Sequence, residues 1–222
     1  GRRDGSSKLS PKQRWKNFYS VSGGWVVSGE KFWENIGAAN YVNFLKVRYN
    51  YGKTGSVNGI GNYESFSTIS TGSVYLGTTK LPTMWINGMT SSDRTWESLI
   101  SHNAGIDFGF FNNRLRASFD WFQKTNDGMF IDVTYPAVLG ASAPKTNNGK
   151  LRTRGWEIEV NWRDRIGQVN YNVGFNVFDA KTKLLELTNN ENVPTAGINS
   201  KRLIGKPINA IYVFQTDGVF QT

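Results

Sequence analysis

The stretch GIDFGFFNNRLRASFDWF, residues 105–122, decides how this chain is read. Asn112-Asn113 predicts a two-residue turn of the primed type, because Asn accepts positive φ more readily than most residues. Counting outward from it, Phe110 faces Leu115, Phe108 faces Ala117, Ile106 faces Phe119 and Ala104 faces Trp121. The alternate positions set Gly109 against Arg116, Asp107 against Ser118 and Gly105 against Asp120. One face of the hairpin is therefore apolar and the other small or charged.

A second stretch repeats the design. Asp164-Arg165-Ile166-Gly167 reads as a four-residue loop with Gly167 in a left-handed last position. That loop pairs Trp162 with Val169, Val160 with Tyr171, Ile158 with Val173 and Trp156 with Phe175. The opposite face carries Glu157, Glu159, Asn161 and Arg163 against Asn170, Asn172, Gly174 and Asn176, which suits water.

Alternation of period two is shared by a half-buried strand of a soluble sandwich, so length has to separate the cases. Strands can be drawn through 97–111, 114–126, 151–163 and 168–181. These run well beyond the roughly five to six residues of a globular strand and past the roughly 9–11 that cross a lipid core. The expectation is an all-β fold of antiparallel up-and-down strands. Its lipid-facing candidates are Phe108, Phe110, Phe119, Trp121, Trp156, Ile158, Trp162, Tyr171 and Phe175. Trp156 and Trp162 share a face about 20 Å apart at roughly 3.3 Å per residue, and so sit towards the two edges of an apolar band about 25 Å tall. The competing reading makes both of them sandwich-core residues.

Composition bounds the choice. Hydrophobic residues make up 38% of the chain and its mean hydropathy is −0.45, with no run near the roughly 20 apolar residues that a membrane helix requires. A barrel hides its lipid surface in alternate positions, so low hydropathy does not exclude membrane insertion. There is no cysteine, which removes disulfides and Cys-based metal sites. The net charge of +9 raises a nucleic-acid reading. The basic residues are scattered, however, over Lys46, Arg48, Arg114, Arg116, Arg152, Arg154, Lys181 and Lys183, and no nucleic-acid-binding motif accompanies them. No nucleic-acid partner is expected; a wet interior or anionic headgroups account for the charge.

Along the chain, residues 1–4 read as a strand tail and 5–12 as a turn segment. Residues 14–27 read as one long strand, 29–40 as a short helical connector capped by Ser28 or Gly29, and 43–53 as a strand. The alternation fades from Thr54 to Arg94, the longest connection, and again in 127–150 and 182–206. Short and long connections thus alternate, as in an outer-membrane barrel with short periplasmic turns and long outer loops. The chain starts at Gly1 and stops at Thr222 inside an apparent strand, so it is expected to be a piece of a larger protein.

At this point the motifs carry a family likeness. GRRDGSSK at Gly1–Lys8, RW at Arg14-Trp15, YSVSGGW at Tyr19–Trp25, LKVRYNYGKTG at Leu45–Gly55 and GNY at Gly61–Tyr63 stand in order with the hairpin at Gly105–Phe122. Asn148-Gly149, Arg154-Gly155-Trp156-Glu157 and GKPINAIYVFQTDGVFQ at Gly205–Gln221 follow. Together they resemble the SusC/RagA-like family of TonB-dependent outer-membrane transporters. The resemblance implies a 22-stranded barrel in the outer membrane of a Gram-negative bacterium, plugged by an N-terminal domain and lidded by a SusD-like surface lipoprotein. It implies import of glycans or peptides with energy from the TonB complex, delivered through the N-terminal region. Residues 1–222 would be one partial barrel domain, with the plug and the final strands outside it.

Site chemistry is sparse. His102 is the only histidine and stands in an apparent strand without a triad or zinc pattern, so no catalytic residue is named and an enzyme is not expected. Glu157 and Glu159 read as a solvated or salt-bridged patch with Arg163. Asp127, Asp132 and Asn147-Asn148-Gly149 lack EF-hand spacing, so neither metal nor cofactor is expected. The aromatics of polar loops, Tyr63, Tyr75, Trp85 and Tyr135, are the substrate-contact candidates, because flat rings stack on sugars and peptide side chains. A soluble all-β carbohydrate-binding module and a passive porin are the alternatives to a transporter wall.

Overall fold

The computed structural model describes residues 1–131, 138, 144–187, 204–207 and 218. Its main feature is a six-stranded antiparallel sheet in the order β10-β9-β8-β7-β4-β3. The strands are β3 (Ser20–Val26), β4 (Val42–Ser56), β7 (Glu97–Phe110), β8 (Leu115–Ile131), β9 (Thr146–Ile166) and β10 (Val169–Leu187). Neighbours in space are neighbours in sequence apart from one hairpin, β5 (Ile69–Leu76) with β6 (Thr79–Ile86), inserted between β4 and β7. β1 (Arg2–Gly5) pairs with β2 (Trp15–Phe18) as a separate ribbon.

The first hairpin forms in the register read from the sequence. Phe110 meets Leu115, Phe108 meets Ala117, Ile106 meets Phe119 and Ala104 meets Trp121. Asn112 and Asn113 take φ of 55° and 63°, and the Arg114 N–H donates to the Phe111 carbonyl, which closes the expected turn; Phe111, with φ 52°, adds a third positive value that the sequence does not predict. The Asn112 N–H also donates to the Asn43 side chain, which ties this turn to β4.

The second hairpin corrects the expectation. Ile166 pairs with Val169, so the turn is Gly167-Gln168 and not the four residues 164–167. Gly167, with φ +60°, takes the first central position, where a type II′ turn favours glycine, and the strands therefore extend through Asp164 and Arg165. Trp162 meets Val173, Val160 meets Phe175, Ile158 meets Val177 and Trp156 meets Asp179, a shift of four residues along β10. Because the shift is even, every side chain keeps its face.

Other boundaries move as well. Residues 14–27 split into β2 and β3 at Tyr19, whose carbonyl accepts from the Lys53 N–H. The helical connector comprises a 3₁₀ turn at Val27–Gly29, a helix α1 at Lys31–Asn35 and a second 3₁₀ turn at Ala38–Asn40. Glu30 precedes α1 without a side-chain cap, so neither Ser28 nor Gly29 caps it. The ladders of β8, β9 and β10 run on into what read as loops at 127–150 and 182–206, because cross-strand bonding continues where the apolar alternation stops. No described helix is long and apolar enough to cross a membrane, which says nothing of crossing by strands.

Burial is concentrated at one end. Leu9, Phe18, Ile60 and Trp96 form a cluster, with Val57 and Phe130 packed against it. Phe18 and Trp96 meet edge to face with centroids 5.6 Å apart, and the Trp96 indole N–H donates to the Arg14 carbonyl at 3.1 Å. Gly55 is where Phe18 lies down; a Cβ there would overlap its ring. Asn147 ties the same region together, donating to the carbonyls of Thr95 and Gly128 and accepting from the Thr95 N–H. Its amide is thereby occupied with backbone.

Candidate functional site

The sheet has two chemically different faces, set by alternation along each strand. On the apolar face, successive rows across the strands read Val173, Trp162, Leu115, Phe110; then Phe175, Val160, Ala117, Phe108, Leu45; then Val177, Ile158, Phe119, Ile106, Val47, Trp25. The next row is Asp179, Trp156, Trp121, Ala104, Tyr49, Gly23, so Trp156 and Trp121 are direct cross-strand partners. All nine lipid-facing candidates lie on this face, Tyr171 one row beyond Trp162, whose indole N–H donates to its hydroxyl.

Among the described residues no second sheet or helix layer covers these rows. Phe175 remains 65% exposed, Val173 62%, Trp121 40% and Phe119 39%. A sandwich would bury such a face against a partner sheet about 10 Å away. On β9 and β10 the apolar rows end at Trp156, whereas on β3 and β4 they continue through Tyr51 and Val21. This diagonal limit is what strands tilted to a common plane produce. His102 stands in that boundary, its Nδ1 2.8 Å from the Tyr49 hydroxyl and its ring edge-on to Tyr51.

The polar face holds the network that the sequence reading did not assemble. Arg48 on β4 donates from both terminal nitrogens to Asp120 on β8, at 2.6 and 2.7 Å, and reaches Asp107 on β7 through Nε at 3.2 Å. Asn103 donates to the same Asp120 carboxylate at 3.1 Å. The guanidinium spans three strands because Gly105 lies beneath it: a Cβ there would be 2.5 Å from Arg48 Cζ. The clue was the β4–β7 register, which sets Arg48 directly opposite Gly105; some forty residues of connection concealed it. Nearby, Phe44, Lys46, Asp107, Arg116, Glu159 and Asn161 line a hollow of about 480 Å³. Glu159 accepts from Asn161 and not from Arg163, so the expected Glu157–Glu159–Arg163 patch is a row of side chains without an ion pair among the described residues. The chemistry of this face is hydrogen bonding and charge, with the Arg48 guanidinium already committed to Asp120 and Asp107.

The loop aromatics do not converge. Tyr63, with φ +63°, lines a cleft of about 420 Å³ with Glu64, Phe66, Asn87, Met89 and Arg94. Tyr75 and Trp85 sit on the β5–β6 ribbon, opposite Lys80 and Ser70, on its two different faces. The expectation that Tyr75 and Trp85 stand in polar loops of the longest connection is corrected: residues 69–86 form a hairpin. Tyr135 lies outside the described residues. Below the Tyr63 cleft, Arg94 is buried and donates to the Glu64 carboxylate at 2.6 Å. Desolvation pushes that carboxyl up, but the bonds from Arg94 and from the Gly61 N–H outweigh it and hold it below its ordinary value.

Comparison with known proteins adds a second line. The family described as TonB dependent receptor-like, beta-barrel matches residues 2–212. TonB-dependent receptor P39 of Formosa agariphila is 32% identical over 222 residues, covering 99% of this chain and 20% of that protein. TonB-dependent receptor SusC of Bacteroides thetaiotaomicron is 27% identical over 96% of this chain and 22% of its own length. Among solved structures, the RagAB peptide importer in the open-open state superposes with a TM-score of 0.77 at 25% identity, over 90% of this chain and 21% of that one. The chain thus spans about a fifth of the relatives it matches.

Proposed function

This chain belongs to the SusC/RagA-like family of TonB-dependent receptors, and from that membership we propose that its six-stranded sheet is a stretch of the wall of an outer-membrane importer. The observation that carries the reading is the apolar face that continues across the six strands, uncovered among the described residues and ending at Trp156 and Trp121 on β9 and β8 and at Tyr51 on β4. In the proposal, Phe108, Phe110, Phe119, Ile158, Trp162, Tyr171 and Phe175 touch acyl chains and the two tryptophans stand at the interface. The polar face with Arg48, Asp107 and Asp120 then looks into the lumen, where a charge network is hydrated instead of buried in lipid.

The cargo is a peptide or a glycan. The peptide importer among the structural relatives favours the first, and the loop aromatics accommodate either. A SusD-like lipoprotein covers the long-loop end, and the TonB complex supplies energy through the plug that precedes the barrel in this family. Tyr63 is the first substrate-contact residue to test, since it lines a cleft with Phe66, Asn87 and Arg94.

The test is uptake by cells carrying the full-length protein, supplied with labelled oligopeptides or labelled oligosaccharides, before and after collapse of the inner-membrane proton gradient. Energy-dependent accumulation of one class is the expected result. Uptake that survives the collapse indicates a passive pore, and no difference from cells lacking the protein contradicts an import role.

A further inference from the structure

Immediately beyond Trp156 and Trp121, on the same face of the sheet, Arg154 is directly opposite Lys181 and Arg152 directly opposite Lys183. Directly opposed side chains have Cβ atoms about 4.5–5.5 Å apart, and like charges so placed destabilise a sheet. Here two such pairs occur in consecutive rows, so four cations occupy a patch about 7 Å tall. Their internal compensation is small. Asp179 approaches Lys181 at 3.6 Å, and the Arg154 Nε–H is spent on the neutral Gln123 at 2.6 Å. In the next row, Lys150 is paired with Asp127 and Glu186, which shows what a balanced position on this sheet looks like. Among the described residues neither Arg152 nor Lys183 has a carboxylate partner.

The four cations and the two indoles, together with Gly155 and the single carboxylate of Asp179, line an open groove of about 340 Å³. Its position is specific. It lies on the apolar face, continuous with the acyl-chain rows, and on the side of the long connections, whereas the short turns at Asn112-Asn113 and Gly167-Gln168 mark the other end. A cargo inside the lumen cannot reach it, since the polar face is on the reverse of the sheet. What meets a tryptophan row from the outside at that height is the headgroup region of the outer leaflet.

We propose that Arg152, Arg154, Lys181 and Lys183 form a binding site for the phosphate of an outer-leaflet lipid headgroup, with Trp121 and Trp156 seating the first segment of its acyl chains. The site rests on the lipid-facing reading of this sheet and goes beyond it: it assigns a defined anionic ligand to one patch of the wall. Arginine suits the role through its planar fork, which holds two phosphate oxygens at once, and the flanking lysines add charge without geometric demand. The bound phosphate also removes the repulsion across the two like-charged rows.

The test uses the full-length protein, delipidated and placed in phosphatidylcholine nanodiscs containing either diphosphoryl lipid A or its enzymatically dephosphorylated form, with native mass spectrometry counting retained glycolipid. Wild-type protein is expected to retain the phosphorylated form preferentially, and a double variant, Arg152→Gln with Lys183→Gln, to bind it about twenty-five-fold more weakly, at roughly fivefold for each cation beside an anionic surface. The charge-keeping variant Lys181→Arg with Lys183→Arg is expected to behave as wild type, as is Lys124→Gln on the polar face. Equal retention of the two lipid forms by wild-type protein overturns the site without any variant. So does unchanged lipid retention in the double variant when capture of an acidic protein partner is lost instead. Quenching of Trp156 by brominated acyl chains in the same nanodiscs distinguishes the two levels: quenching without phosphate preference overturns the headgroup site alone, and absent quenching overturns the wall reading beneath it.

Discussion

At the rim, Leu9, Phe18, Ile60 and Trp96 close on one another with exposures of 1, 2, 2 and 7%. In the wall, Phe175 and Val173 stand out with most of their surface uncovered although their backbone is fully laddered. The rim is built as a soluble core is built, from burial, an edge-to-face ring pair and a buried arginine with its carboxylate. The wall is built from cross-strand bonds and from ion pairs between and along its strands, and on the proposed reading it takes its apolar contacts from lipid. On that reading the two regions obey two solvents. Damage to the rim should stay local and independent of lipid; damage to the wall should depend on depth in the bilayer.

The largest effect expected is Trp96→Ala in the full-length protein. It removes a buried indole, its contact with Phe18 and its bond to Arg14, at a cost of about 3–5 kcal/mol to the rim. Hydrogen exchange should accelerate around Ile60 and Phe18 and leave β8 and β9 protected; equal loss in the wall would break the distinction. Phe175→Arg is next, at about 2–4 kcal/mol if the residue is near the bilayer midplane. The cost should show in folding into lipid vesicles and shrink when the same charge is placed at Asp179. Equal costs at both positions would argue against a depth scale.

Arg94→Met comes third. It strips the Glu64 carboxylate of its charge-assisted bond, worth about 1.5–3 kcal/mol before allowance for the solvent reaching Glu64. Because the folded carboxyl is held below its unfolded value, this contribution is present above about pH 4.3 and is lost as pH falls through the lower folded pKa. Exchange rates of residues 60–66 should accordingly rise on acidification in wild type and be flat over that range in Glu64→Gln. Smallest is Gly105→Ala, which pushes Arg48 off Asp120 at about 1–2 kcal/mol. It should loosen β4 from β7 without altering the apolar face.

The wall was readable from sequence where the turn chemistry was unambiguous. Asn112-Asn113 fixed both turn and register, while Gly167 admitted a two-residue and a four-residue loop that differ by an even shift, so the faces came out right and the partners wrong. The β5–β6 hairpin carries the same signature, Gly77 with φ +63° before Thr78 between paired strands, but its alternation fades among Gly, Ser, Thr and Asn, and Pro82 stands inside β6. Proline is tolerated there because a two-stranded ribbon has free edges on both sides. The Arg48 network and the rim core escaped because each joins segments distant in the chain, Arg48 to Asp107 across 59 residues and Phe18 to Trp96 across a longer stretch, and neither alternation nor local turns encode such meetings. Tyr63 stands in a turn; that its neighbours are Phe66 and Arg94, and not Tyr75 or Trp85, depends on the folded loop.

The most direct measurement is tryptophan quenching of the full-length protein in bilayers brominated at defined acyl-chain depths, comparing wild type with Trp121→Phe, Trp156→Phe and Trp162→Phe. A wall stretch requires that each substitution remove part of the quenching, with Trp121 and Trp156 reporting one shared depth near one interface and Trp162 a different one. Quenching that is absent in wild type, or indifferent to all three substitutions, would mean that the apolar face meets protein and that this sheet is not a membrane wall.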